Sequence, residues 1–223
     1  MWVMAERATR TRQRRADGDR TRAAILDAAV RLSTVDGLEG LSIGNLAKDL
    51  GMSKGGVYAH FDSKQDLQLA TVEAAGVIFR SEVIEPALTA DPGVPQLLAF
   101  CDGFFDHLER RVFPGGCFFA GAALEMGTHR GPVQEKVAEF HSGFVQLIRD
   151  VVRTAVQLRQ LPPDEDPAAL ALELNGTLLA ADTSFVMYDD PSVLDLGRRV
   201  VRRRLGLAVT RRDETPEESE NPQ

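Results

Sequence analysis

The side chains best suited to chemistry fall into two groups. Near the front of the chain, Ser42, Ser53, Lys54, Tyr58, His60 and Lys64 bring hydroxyl, ammonium and imidazole donors into one short stretch. In the middle, Cys101, Cys117, His107 and His141 include nucleophile and base types. Nothing there matches a cysteine-enzyme signature. Gly115-Gly116-Cys117 lacks the spacing and strand context of a phosphate-binding loop, and neither His107 with Glu109 nor His129 with His141 has metal-ligand spacing. No catalytic centre, metal site or cofactor is therefore expected. A helical small-molecule carrier or enzyme without DNA function is the alternative reading.

The 223 residues carry 26 Lys and Arg against 33 Asp and Glu, a net charge of −7. That charge is unevenly spread: residues 1–62 hold 10 basic against 8 acidic side chains, and residues 63–223 hold 16 against 25. Residues 1–22 alone hold seven Arg and three acids, so an acidic protein can present a basic leading end to a nucleic acid. A solvated arm with no such partner is the plainer alternative. The longest charge-free run, Val112 to Leu124, has 13 residues and contains a Pro and three Gly. A membrane-spanning helix needs about 20, so no membrane partner is expected. The first residues lack an apolar signal core, and Cys101 and Cys117 alone make no disulfide framework. A soluble, cytoplasmic protein is expected.

The elements that must position these groups all read as helices, which makes the expected fold class all-α with about nine helices. Ile25, Ala28, Ala29, Leu32 and Val35 recur at helical spacing up to Gly37. Ser42 is placed to cap a short helix reaching Leu50, and Ser53, after Gly51, a second one reaching about His60. Three helices with a Gly-containing turn between the second and third have the form of a helix-turn-helix unit. Ser63 starts a helix that runs unbroken to Pro86. Helices are expected from about Val94 to Val112, from Cys117 to about Met126, and from Gly131-Pro132 to about Leu161. Asp166-Pro167 and Asp190-Pro191 each pair a capping acid with a proline at the first helical position. The division expected is a basic flexible arm at 1–18, a helix-turn-helix domain at 19–65, a larger helical domain at 66–210, and an acidic disordered tail at 211–223.

The segment LSIGNLAKDLGMSKGGVYAHFDSKQDL, residues 41–67, resembles the DNA-binding motif of the tetracycline-repressor (TetR-type) family of transcriptional regulators. The resemblance starts near Thr21 and includes the alanine-rich first helix, the turn Leu50-Gly51-Met52-Ser53, and the run from Tyr58 to Lys64. It implies that helix 53–60 enters the major groove of double-stranded DNA. Lys54, the one long donor on that helix, would reach guanine edges. Gly55 and Gly56 allow close backbone approach, or simply sit at a first turn where their cost is small. The resemblance places Ser42, Tyr58, His60 and Lys64 at positions that contact phosphates, with Thr21 and Arg22 as further candidates. Arg10, Arg12, Arg14 and Arg15 could run along phosphates or into a minor groove.

The same resemblance implies that the larger domain dimerises and senses a small molecule. Helix 167–188 is apolar on nearly every side and helix 191–207 carries an apolar stripe, so the pair is expected to form a four-helix bundle with its copy. Phe104, Phe105, Phe118, Phe119, Phe140 and Phe144 lie on three helices expected to surround a cavity, with Cys101, Glu125, His141 and Asn175 as polar candidates. A plain core is the other reading of those rings. The function expected is a ligand-responsive homodimeric repressor on a near-palindromic operator, with a small, mainly apolar effector.

Overall fold

Capping side chains set most of the element boundaries. In the computed structural model, which describes the backbone of residues 2–208 and the side chains of residues 16–208, the helices are α1 (Trp2–Asp36), α2 (Ile43–Asp49), α3 (Lys54–Tyr58), α4 (Lys64–Phe79), α5 (Glu85–Leu88), α6 (Val94–Glu109), α7 (Phe118–Met126), α8 (Pro132–Gln157), α9 (Pro167–Tyr188) and α10 (Ser192–Arg204). The hydroxyls of Ser42, Ser53 and Ser63 accept from the amides of Asn45, Gly56 and Asp66 at 3.1, 3.1 and 3.0 Å, so each serine closes the open first turn of its helix. Asp166 does the same for α9, accepting from Ala168 N at 2.8 Å. At α10 the boundary shifts by one residue: Pro191 is the cap and Asp190 accepts from Ser192 N at 2.9 Å.

Two expectations about the chain's course are corrected. The arm expected at 1–18 is not irregular: the backbone from Trp2 is helical and continuous with α1. Ala, Arg, Glu and Gln dominate that stretch, no proline interrupts it, and these are strong helix formers. Thr21 therefore lies inside a helix, where its hydroxyl donates to Asp17 O at 2.9 Å. The helix expected to run unbroken from Ser63 to Pro86 is interrupted by one widened, π-helical turn, Arg80–Ile84, before α5 resumes. Pro86 has no N–H and its ring crowds the carbonyl four residues back, and a widened turn absorbs that misfit. With that rod taken as one, the described residues form nine helices. The acidic tail at 211–223 lies outside the described residues.

Ile25, Ala28, Ala29, Leu38, Leu46, Val57 and Phe61 form the core of the front unit, and Leu67 of α4 joins them. In the larger unit α8 packs along α9, α9 along α10, and α7 along α8, with α4 reaching from one unit to the other. Leu194 and Val201 of α10 are buried on α6 and α9, as is Leu205 just past its end, whereas Leu196 and Val200 face outward. Among the described residues no helix is long and apolar enough to cross a membrane.

Candidate nucleic-acid interface and internal cavity

Val57 and Phe61 are buried at the back of α3, which leaves its front open. Ser53, Lys54, Gly55 and Tyr58 are exposed, and Ser42, Gly56 and His60 are half-buried beside them. Tyr58 is 55% exposed, so it is not a core aromatic. Both capping serines use a lone pair on a helix amide and keep the O–H free to donate outward. Gly55 and Gly56 occupy the first turn of α3, and Gly56 N is the amide that Ser53 caps.

Three of the expected phosphate contacts are otherwise engaged, Thr21 through its bond to Asp17 O. Lys64 donates to Glu39 O at 2.6 Å and to the Glu39 carboxylate at 3.2 Å, which holds that carboxyl below its ordinary range. The guanidinium of Arg22 lies over the Phe61 ring, 5.1 Å from its centroid. The side chains of Arg10, Arg12, Arg14 and Arg15 lie outside the described ones.

A cavity of about 610 Å³ opens among α4, α6, α7, α8 and α9. It brings together six of the expected residues: Phe104, Phe119, Phe140, His141, Phe144 and Asn175. The rings meet edge to face around Phe79, whose centroid is 5.4 Å from Phe144 and 5.9 Å from Phe119. Phe119 and Phe140 stack at 5.1 Å. Asn175 is the amide on the wall, and the mouth carries Arg80, Glu85 and Glu139, all exposed.

Four expected residues do not line this cavity. Cys101 and Phe118 are buried in the surrounding core. Phe105 faces α10, packed on Gly197 with the Arg198 guanidinium 5.3 Å above it. Glu125 turns the other way altogether: its carboxylate accepts from Leu38 N at 2.7 Å and Glu39 N at 2.9 Å, in the loop between α1 and α2.

Several lining residues escaped the sequence reading, notably Phe79, Ile84, Leu88 and Leu178. Pro86 within a helical run was the available signal, because the widened turn before it presents Arg80 and Ile84 to the cavity.

Both thiols of this region are free and buried. Burial pushes Cys101 and Cys117 up to about 12, Asp102 and Asp182 adding to the shift. Burial also pushes Asp182 up to about 6, although its carboxylate accepts from Cys117 N at 3.0 Å. His107 is driven down to about 4 by burial, and its ring is wedged 4.7 Å from Phe113 and 5.9 Å from Phe79. Among the described residues no group of three or more His, Cys, Asp or Glu is placed to hold a metal ion.

Comparison with known proteins agrees with this architecture. Residues 25–71 match the family model of bacterial regulatory proteins of the tetR family, and residues 93–201 match the tetracyclin repressor-like C-terminal domain. The HTH-type transcriptional regulator SrpR of Pseudomonas putida is 24% identical over 161 residues, covering 70% of each chain. The regulator AcrR of Shigella flexneri is 39% identical over 56 residues, which is 25% of this chain and 26% of that protein. A TetR transcriptional regulator from Chloroflexus aurantiacus superposes with a TM-score of 0.80 at 26% identity, over 86% of this chain and 96% of that one. AibR, solved with isovaleryl coenzyme A and operator DNA, shares the fold at a TM-score of 0.67 and 21% identity, over 82% and 97% of the two chains. Two matched models of one family, in order along the chain and over the two units the structure displays, lead to one conclusion: the chain belongs to the tetracycline-repressor family of DNA-binding transcriptional regulators.

Proposed function

We propose that the protein is a homodimeric repressor that docks α3 of each subunit into successive major grooves of a near-palindromic operator and releases it when a small molecule fills the cavity. The exposed front of α3, backed by buried Val57 and Phe61, carries this reading. Lys54 reads base edges. Ser42, Ser53, Tyr58 and His60 hold phosphates, and the open turn at Gly55 and Gly56 lets the backbone come close. Lys64 and Arg22 act one step back, by fixing Glu39 and Phe61.

Dimerisation is supported by what α9 and α10 leave uncovered. Leu172, Val186, Met187, Leu196 and Val200 are exposed on these two helices. A monomer gains nothing from five large apolar side chains in water, whereas a twofold copy would bury them. One five-residue reading helix makes few base contacts, and symmetry doubles them.

The effector reading rests on the cavity. Its size is that of a drug-sized ligand site, its wall is mostly apolar, led by Phe and Leu, and Asn175 offers both a donor and an acceptor. Such a site fits a mainly apolar molecule with one or two polar atoms. The AibR structure holds an acyl-coenzyme A, and that ligand is AibR's own.

A gel shift tests the whole reading: purified protein against a duplex selected from a random pool, with and without co-purified small molecules extracted from cells. Nanomolar binding to a twofold-symmetric duplex is expected, weakened by the active extract. No selected duplex at any salt concentration refutes it.

A further inference from the structure

We propose that Glu125 is a positioning residue for operator binding, and that through it α7 carries the state of the cavity to the reading head. The proposal rests on the roles given above to α3 and to the cavity. Its starting point is that α7 touches both. At its front, Cys117, Phe119 and Ala120 line the cavity. At its back, both carboxylate oxygens of Glu125 are spent on the amides of Leu38 and Glu39, at 2.7 and 2.9 Å.

That loop is a junction. It lies between the end of α1 and Ser42, the cap of α2. Leu38 O accepts from Gln68 Nε2 of α4 at 2.9 Å, and Glu39 holds Lys64 at the start of α4. The position of α2, and of α3 packed on it, is therefore set by a segment that α4 grips on one side and Glu125 on the other. Gly37 makes the grip possible: its φ of +82° suits glycine, and a Cβ there would lie 2.7 Å from the Glu125 carboxylate.

A second tie fixes the other end of α7. Just ahead of it, Gly115 N donates to Thr34 Oγ1 of α1 at 3.1 Å, so closely that a Cβ on Gly115 would fall 1.8 Å from Thr34 O. The wall formed by Cys117, Phe119 and Ala120 thus lies between two attachments to the front unit. A molecule that displaces this wall has to strain one of them. Two bonds from backbone amides to one carboxylate are directional and charge-assisted, so a small displacement breaks them. A ligand that binds better when the latch is open weakens operator binding by the same factor as the operator weakens ligand binding.

The experiment uses the full chain and a duplex that the wild type itself selects from a random pool. Operator affinity is measured for the wild type, Glu125→Ala, Glu125→Gln, Ala120→Trp, and the pair Ala120→Trp with Glu125→Ala. The indole in Ala120→Trp fills the cavity from α7 and stands in for a ligand. Ala120→Trp is expected to weaken binding about tenfold in the wild-type background and less than about twofold once Glu125 is Ala, because coupled changes are not additive. Glu125→Gln, which keeps one acceptor oxygen, falls between wild type and Glu125→Ala. Equal weakening by Ala120→Trp in both backgrounds overturns the latch alone. A wild type that selects no duplex overturns the latch together with the function on which it rests. Amide exchange gives an independent readout should Ala120→Trp fold poorly. Saturation of the wild type with N-phenyl-1-naphthylamine, a neutral apolar probe, is expected to speed exchange at Leu38 and Glu39 at least fivefold while amides in the middle of α9 keep their rates. Unchanged exchange at the two loop amides overturns the proposal.

Discussion

Truncating Phe79 should destabilise the protein less than truncating Phe105, although the first ring has more aromatic partners. Phe79 meets Phe104, His107, Phe119 and Phe144 edge to face, at 6.3, 5.9, 5.9 and 5.4 Å. Phe105 pairs only with Phe104, at 6.3 Å, among the described rings. Aromatic pairs at about 1 kcal/mol each would make Phe79→Ala the worse change. The surroundings reverse that order. Phe79 borders the cavity of about 610 Å³, whose mouth is open to water, so the space it vacates is not a sealed void. Phe105 is fully buried between Gly197 and the Arg198 guanidinium, and its loss leaves a dry hole of roughly 100 Å³ at about 24 cal/mol per Å³. The two changes should then cost about 3 and about 5 kcal/mol, within the range for Phe→Ala. At this chain length 1 kcal/mol corresponds to about 2–4 °C, so Phe105→Ala should melt roughly 4–8 °C below Phe79→Ala. Thermal melts followed by circular dichroism at one protein concentration decide it. If Phe79→Ala melts at or below Phe105→Ala, the cavity is closed in solution and the effector reading loses its ground.

Lys54→Ala should lower operator affinity by about 1–3 kcal/mol and reorder the preference among operator variants, while Tyr58→Phe should weaken all variants alike; parallel losses in a gel-shift panel would contradict the division of roles. Leu172→Glu puts a charge on the exposed face of α9 and should shift the sedimenting species from twice the chain mass of 24.4 kDa to the chain mass itself, with the helical spectrum unchanged. Asp182, raised by burial from 3.8 to about 6, binds its proton more tightly in the folded than in the unfolded chain. Stability should therefore be highest below pH 3.8 for this group and fall as pH rises through about 6, and denaturant titrations of Asp182→Asn should show that limb flattened.

What the sequence disclosed follows from how local each signal is. Ser42, Ser53, Ser63 and Asp166 announce helix starts because a cap acts on amides two or three residues away. The six rings and polar groups that do share the cavity are readable as a class, since four apolar helices, α6 to α9, carry them. Which of them face inward was not readable, because Phe104 and Phe105 are adjacent and only the direction of α10 assigns Phe105 to Gly197. Glu125 was misplaced for a related reason. A carboxylate beside apolar residues looks like a ligand group, and its partners Leu38 and Glu39 lie 87 and 86 positions away. At the start of α1 charge density and helix propensity point to different conformations, and the good helix formers continue the helix.

Helix α9 has two contrasting sides. Asn175, Leu178 and Leu179 form part of the cavity wall, and Leu172, Gly176 and Ala180 lie exposed on the outer side of the same helix. In a dimer closed by that outer side, the two chambers stand back to back, separated by little more than a pair of helix thicknesses, about 10 Å each. If the proposed effector fills both chambers, the two guests would share that partition, and the first to arrive would set the shape of the wall that the second one meets.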